Sequence, residues 1–165
     1  MPMLIAIKNI SQISYRAIMD LYEQDLLQTA KESYPALSAP EALMEAEQDF
    51  YAYLADVFFQ TPEACLYVWQ QDGKWVSCLR VEPYADGFLV CGLTSALAYR
   101  RKGYARGLLE AVVAQMHKPL YSHVEKSNFP SLALHEKCGF TRQLEYAQML
   151  DGEVLHNFST FCSRN

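Results

Sequence analysis

Arg100, Arg101, Lys102 and Arg106 crowd two glycines, Gly103 and Gly107, in the stretch YRRKGYARGLLEAVV that begins at Tyr99. An apolar run at helical spacing overlaps it: Leu108, Leu109, Val112, Val113 and Met116. Cations favour the far end of a helix, where the dipole is negative, so helix stability gives no reason to gather four at the start. A bound anion gives one. The first amides of a helix have no internal partner and point outward together. Glycine lets the backbone approach a ligand with no Cβ in the way, and guanidiniums pair with phosphate oxygens. The pattern suits a pyrophosphate. The other reading is a solvated basic turn in which Gly103 serves tight packing. Neither GxxxxGK[ST] nor GxGxxG occurs, so a nucleoside-triphosphatase or dinucleotide site lacks its motif.

Two histidines and a glutamate are the next residues with chemistry in them. His123 and Glu125 lie two apart in a short strand-like segment and so share a face. An imidazole with its ordinary pKa near 6.5 is a base at neutral pH, and Glu125 either orients it or is the base itself. The bland reading of His123 is a half-buried strand histidine with a structural hydrogen bond. His117 and His156 default to surface or packing. Cys65, Cys78, Cys91, Cys138 and Cys162 are odd in number and have no metal-ligand spacing, so no metal is expected. They read as free thiols of a reducing, cytoplasmic setting. Nothing marks a nucleophile among them.

These residues must be carried by elements. Met3–Ile10 reads as a first strand and Ser14–Ala30 as a helix with a buried stripe. Ser38-Ala39-Pro40-Glu41 reads as a capping box with proline in the first turn, opening a helix to about Phe59. There Leu43, Phe50, Leu54 and Val57 are expected to face the core. Tyr51, Tyr53, Phe58 and Phe59 are left for packing or for lining a substrate pocket. Three strands follow, over Cys65–Gln70, Lys74–Glu82 and Phe88–Thr94, with Asp72-Gly73 as the first hairpin turn. The spacing of Cys65, Cys78 and Cys91 follows those strands. Gly92 inside the third marks a bulge or a close backbone approach. The Leu108 helix stops at Pro119, Leu120–Val124 is a strand, and Ser131–Lys137 is a helix with Gly139 as its C-terminal cap. Arg142–Leu150 and Val154–Phe161 flank a turn at Asp151-Gly152. The result is an α/β (α+β) chain of about seven strands and four helices, with residues 1–165 as one domain.

Composition bounds the function. Hydrophobic residues make up 51% and charged ones 20%, a globular balance. No apolar run is long enough to span a membrane and nothing resembles a signal peptide. Net charge is −5, against a general nucleic-acid binder. The charge is uneven: residues 1–96 hold 5 Lys/Arg against 13 Asp/Glu, residues 97–165 hold 9 against 6. Either the two halves meet ligands of opposite sign or this is an ordinary solvated surface.

RRKGYA (Arg100–Ala105) fits the [Gln/Arg]xxGx[Gly/Ala] signature of the GNAT superfamily of acyl-CoA-dependent N-acetyltransferases, which the chain resembles. NFPSLALHEKCGF (Asn128–Phe140) is similar to the second signature, in which asparagine, a small residue, a helix and a terminal Lys-x-Gly-Phe recur. The two motifs cover about residues 93–140, and the order of elements over the whole chain agrees with that fold, whose central mixed sheet is mostly antiparallel.

The resemblance implies acetyl-CoA as co-substrate. Backbone amides over Arg101, Lys102, Gly103, Tyr104, Ala105 and Arg106 would hold its pyrophosphate. Arg100 fills the signature's first position. Leu93, Thr94 and Ser95 would pair their backbone with the pantetheine arm, and Asn128 would hydrogen-bond it. Ser95–Ala98 reads Ser-Ala-Leu-Ala where members often read Val-x-Pro, a change in side chains more than in backbone.

The resemblance also places two catalytic residues. His123 sits where many members have a catalytic glutamate. His135 sits where they usually have the tyrosine that protonates the departing thiolate. Tyr121 and Tyr146 are phenols that the sequence does not place. The implied activity is direct acetyl transfer to a primary amine of a small molecule or peptide. The rival is a non-catalytic acyl-CoA sensor on the same fold. Acidic residues of the early helices, Asp20 to Asp49, suit a polyamine, an amino sugar or a peptide amine. No nucleic-acid or membrane partner is expected, and a homodimer is left open.

Overall fold

The computed structural model describes residues 2–164. Nine strands form: β1 (Met3–Ile7), β2 (Cys65–Gln71), β3 (Lys74–Tyr84), β4 (Gly87–Ser95), β5 (Leu120–Glu125), β6 (Thr141–Leu144), β7 (Ala147–Gln148), β8 (Val154–Leu155) and β9 (Phe158–Ser163). Seven of them make one mixed sheet in the order β1-β2-β3-β4-β5-β9-β6. Its neighbours run antiparallel except β4 and β5, which are parallel. β7 and β8 form a separate two-stranded ribbon.

The helices are α1 (Tyr15–Leu21), α2 (Glu23–Ser33), α3 (Ala39–Tyr53), α4 (Tyr104–Gln115) and α5 (Phe129–Lys137). Both faces of the sheet centre are covered. Leu66, Val68 and Cys78 pack with Ile18, Met19, Leu26 and Phe58 on one side. Tyr67, Leu79, Val81, Leu120 and Val124 pack with Leu108, Leu109, Val112 and Phe140 on the other. Alternate residues of one strand thus enter opposite cores, which is why β2 reads as a continuous apolar run.

Two departures from the expected helices matter for the site. The segment Ser14–Ala30 is two helices, because the chain breaks at Tyr22, which leaves helical geometry at φ −97° and ψ 14°. Its buried ring turns inward, and its hydroxyl donates to the Gly92 carbonyl at 2.8 Å. The third helix ends in a π turn, Leu54–Phe58, closed by Phe59 N–H to Leu54 O. The wider turn shifts the phase. Val57, expected in the core, is 55% exposed, and Phe58 is buried in its place. Such turns concentrate at functional sites.

Local chemistry elsewhere follows the sequence. The Ser38 hydroxyl accepts from Glu41 N–H. α5 closes with Phe140 N–H on His135 O, Gly139 N–H on Glu136 O, and Gly139 left-handed at φ +86°. The terminal hairpin turns at Asp151-Gly152, but its arms are interrupted. A register shift lies inside β6, between Arg142 and Leu144, and after Tyr146 the chain resumes as β7.

Candidate active site

The sheet is split. β4 and β5 pair only over Phe88–Val90 and Leu120–Ser122. Beyond Val90 and Ser122 each strand keeps its outer partner, β3 for one and β9 for the other, and the two diverge. The cause lies in β4. Its register against β3 shifts between Cys78 and Arg80, opposite Gly92, which sits left-handed at φ +59°. A Cβ there would meet Arg80 Nη1 at 2.7 Å and the Tyr22 hydroxyl at 2.8 Å, so only glycine fits. The free end of β4 is held from behind. Ser77 Oγ donates to Thr94 O at 2.8 Å, and Ser95 Oγ lies 3.2 Å from Ser77 Oγ.

A cavity of about 480 Å³ opens at this free end, lined by Leu93, Thr94 and Ser95. The turn into α4 forms its second wall, through Arg100, Arg101, Gly103, Tyr104, Ala105 and Arg106. Asn128, Ser131 and Leu134 of the α5 segment form the third. Lys102 is absent from the lining; its ammonium lies over the Tyr99 ring at 5.9 Å.

The turn carries two left-handed residues, Arg101 at φ +63° and Gly103 at φ +79°. Nothing lies within 4 Å of a Cβ built on Gly103, so conformation, not packing, demands glycine there. A Cβ built on Gly107 would stand 3.5 Å from the Trp69 ring, an ordinary contact. The first helical bond of α4 runs from Gly107 N–H to Gly103 O, so the amides of Tyr104, Ala105 and Arg106 have no acceptor within the helix. Arg100 Nε bonds back to Ser95 O at 3.3 Å and ties the turn to β4. Arg106 pairs with Glu110 one turn on. Asn128 caps α5, its Oδ1 accepting from Ser131 N–H at 3.2 Å, which leaves its NH₂ to donate elsewhere.

His123 lies one residue past the last β4–β5 pair and projects from the face opposite α4. It is half-buried, edge-on to the Tyr84 ring at 5.3 Å. The Tyr84 hydroxyl donates to Gln148 O at 2.6 Å, so the 3.3 Å contact from His123 Nε2 has the imidazole as donor. Nδ1 then carries the lone pair. Burial pushes the pKa below its ordinary 6.5, keeping the ring neutral at pH 7. Glu125 does not orient it: that side chain is exposed and accepts from Ser127 Oγ.

His135 is placed otherwise than expected. It is 3% exposed and does not line the cavity. Nδ1–H donates to Ser131 O at 2.7 Å, and Nε2 accepts from Ser122 Oγ at 2.8 Å. Both nitrogens are engaged, and burial lowers the pKa against a smaller opposing effect of the Ser131 carbonyl. A neutral ring with its proton given to a carbonyl is a strut between α5 and the base of the fork, not a proton donor to a thiolate. Tyr121 does not take its place, since its hydroxyl donates to Asp86 and accepts from Arg164. Tyr146 stands beside His156 in the terminal segment, ring centroids 6.2 Å apart. Among the thiols, Cys91 flanks the fork; burial first, then Glu82, pushes its pKa up to about 11. Cys138 is held at about 11 by burial and then Glu110. Neither is poised as a thiolate.

Sequence reasoning missed Tyr22, Tyr84 and Arg80. Arg80 sits at an inward position of β3, with its guanidinium among the rings of Tyr22, Phe50, Tyr53 and Phe58 at 5.2 to 6.0 Å. The signal was a charged residue in phase with Cys78 inside KWVSCLRVE. A second cavity of about 890 Å³ lies between α1 and the β2–β3 turn, with Asp20 and Glu23 at its wall. Among the described residues, no cluster of three His, Cys, Asp or Glu side chains is arranged for a metal, and no helix is long and apolar enough to cross a membrane.

Known proteins share this fold. The ribosomal-protein-S18-alanine N-acetyltransferase from Escherichia coli superposes with a TM-score of 0.62 at 19% identity, covering 99% of this chain and 93% of that one. The PaiA N-acetyltransferase from Thermoplasma acidophilum, solved in complex with coenzyme A, gives 0.63 at 11% identity, covering 99% of each. A spermidine N-acetyltransferase chimera of Vibrio cholerae SpeG and hSSAT gives 0.57 at 17%, covering 99% and 95%. At these identities the likeness is one of fold. No curated protein matches by sequence. The sequence profile of the acetyltransferase (GNAT) family matches residues 19–140, most of the chain, and the protein belongs to that family.

Proposed function

We propose that the protein is an acetyl-CoA-dependent N-acetyltransferase that moves the acetyl group directly to a primary amine of a small molecule or peptide, within a ternary complex. One observation carries this reading: the free end of β4, the turn into α4 and Asn128 line a single cavity. The cavity fits the coenzyme by its donor set. The α4 amides, Arg100 and Arg101 suit the pyrophosphate. The unpaired edge of Leu93–Ser95 suits an extended amide arm as an added strand would. Asn128 offers its NH₂ to the same arm. When bound, acetyl-CoA supplies a thioester as the activated acyl group.

The chain's own residues then prepare the amine. A lysine-like ammonium, pKa about 10.4, is neutral about once in a few thousand at pH 7. His123 Nδ1 accepts its proton, directly or through water. The nitrogen bonds to the acetyl carbon, the C–S bond breaks, the nitrogen gives up its second proton to solvent, and the thiolate takes one from solvent. The raised thiol pKa values of Cys91 and Cys138 favour this direct route over an acetyl-cysteine. A second reading, a coenzyme-binding sensor, is favoured by one observation, the locked and neutral His135.

Initial rates of thiol release, with acetyl-CoA and amine both varied, test the proposal. Intersecting lines are expected. Parallel lines with an acetylated protein would overturn direct transfer. Tight coenzyme binding with no turnover on any amine would favour the sensor.

A further inference from the structure

Arg80 is a cation without an anion. Among the described residues no carboxylate lies within ion-pairing distance of it. Its Nη1 donates to the Tyr22 hydroxyl at 2.8 Å, and its Nε is closed off from solvent with no acceptor. Four aromatic rings face the guanidinium. The rings attract a cation but accept no hydrogen bond of ordinary strength, and beyond Tyr22 the Tyr53 hydroxyl is a further, weaker partner. A guanidinium has five N–H donors, and a buried one left short of acceptors is costly.

The molecule has carboxylates it did not bring here. Asp20 and Glu47 pair with Arg16. Asp49 accepts from Tyr34 and Glu32 from Gln28. Half of the eight acidic residues from Asp20 to Asp49 are thus engaged on their own surfaces. One carboxylate does share Arg80's face: Glu82, two residues along β3, partly exposed and without a cation partner among the described residues. Cys91 stands opposite Arg80 in the register, with its Sγ 3.9 Å from Glu82 Oε1. The Tyr22 hydroxyl that accepts from Arg80 donates to Gly92 O, where β4 leaves β5. An unpaired cation and an unpaired anion thus flank the start of the fork, on the face from which His123 projects.

We propose that the acceptor is a zwitterionic amino carboxylate: Arg80 holds its carboxylate bidentately, and its amine lies on the side of Glu82 and His123. This deepens the acetyltransferase reading and rests on it. It replaces the polyamine or amino sugar that the acidic helices suggested. A carboxylate supplies the two acceptors the guanidinium lacks. The aromatic box fixes the guanidinium plane, and Glu82 favours an ammonium over a neutral amine on arrival.

The test compares L-α-amino acids and ω-amino acids of two to six carbons, each with its own carboxamide. Wild type, Arg80→Lys and Arg80→Met are assayed by thiol release, and each is titrated with coenzyme A by calorimetry to show that it is folded. Wild type is expected to prefer at least one acid over its amide by 10-fold or more in kcat/KM. Arg80→Met is expected to lose about 100-fold on that acid, chiefly in KM, and little on the amide, with Arg80→Lys between. Equal losses on acid and amide in a variant that binds coenzyme A would make Arg80 a structural residue only and overturn the proposal. So would a wild type that prefers the amides. So would a wild type that binds coenzyme A but neither acetylates nor binds any acid of the series. Failure of the wild type to bind coenzyme A sinks the acetyltransferase reading first, and the acceptor with it.

Discussion

On the α4 side of the fork the chain presents backbone, and on the α1–α3 side it presents side chains. The first side works through left-handed Arg101 and Gly103, the open amides of α4 and the unpaired edge of β4. The second works through Arg80, Tyr22, Tyr84 and His123, each set by a contact from a different element. On the proposed reading, the first side meets the coenzyme and the second the acceptor. Backbone geometry tolerates most side chains wherever φ is negative. A side-chain cluster changes with single substitutions.

That division makes sharp expectations. His123→Ala belongs to the side-chain face alone. It is expected to lower kcat/KM by about 10²–10³ and to leave coenzyme affinity within a factor of two or so. Burial holds His123 neutral below the ordinary imidazole value of about 6.5, so wild-type activity is expected to fall only at a pH lower than that, an acid limb that the variant lacks. Equal losses in turnover and coenzyme binding would dissolve the distinction between the faces.

His135→Ala cuts the strut between them. Removing a buried ring with two hydrogen bonds is expected to cost about 2–4 kcal/mol of stability, read by urea unfolding. Both buried imidazoles take up protons less readily folded than unfolded. Stability is therefore whole above about pH 6.5 and declines as pH falls below it. Melting curves from pH 8 to 5 are expected to show that decline in the wild type and a shallower one in His135→Gln.

Asn128→Ala touches the backbone-led side. Losing the α5 cap is expected to cost about 1 kcal/mol, and the lost NH₂ donor about tenfold in coenzyme affinity, with little change in acceptor KM. Gly107→Ala is the smallest effect and of opposite sign. A Cβ there meets Trp69 at ordinary contact distance, so the helix is expected to gain about 0.5–1 kcal/mol in melting experiments, with coenzyme binding unchanged. Gly103, where glycine answers to φ, is not expected to tolerate alanine in this way.

The same division explains what could be read in the sequence. The turn into α4 and the cap of α5 were legible because their demands are local: a glycine at a left-handed position beside cations at a helix start, and an asparagine three residues before the amide it caps. The order of strands and helices was legible from periodicity, and the bulge from Gly92. The cluster on the opposite face was not. Arg80 meets Tyr22, Phe50 and Phe58 over long separations in the chain, and no spacing announces that. The break at Tyr22 and the π turn at Leu54–Phe58 interrupt helical patterns that look continuous, because tertiary contacts to β4 and to Arg80 override local preference. His135 was read by its place in a motif, whereas its role is set by Ser122, one strand away.

Calorimetric titration with coenzyme A, of the wild type beside Gly103→Glu, tests the central claim most directly. The variant puts a carboxylate at the mouth of the anion cradle and strains a left-handed position, yet its Cβ meets no packed atom. One molecule bound per wild-type chain, with binding lost in a variant that still melts cooperatively, is the predicted result. Equal affinity in both proteins, or no binding by the wild type, would contradict it.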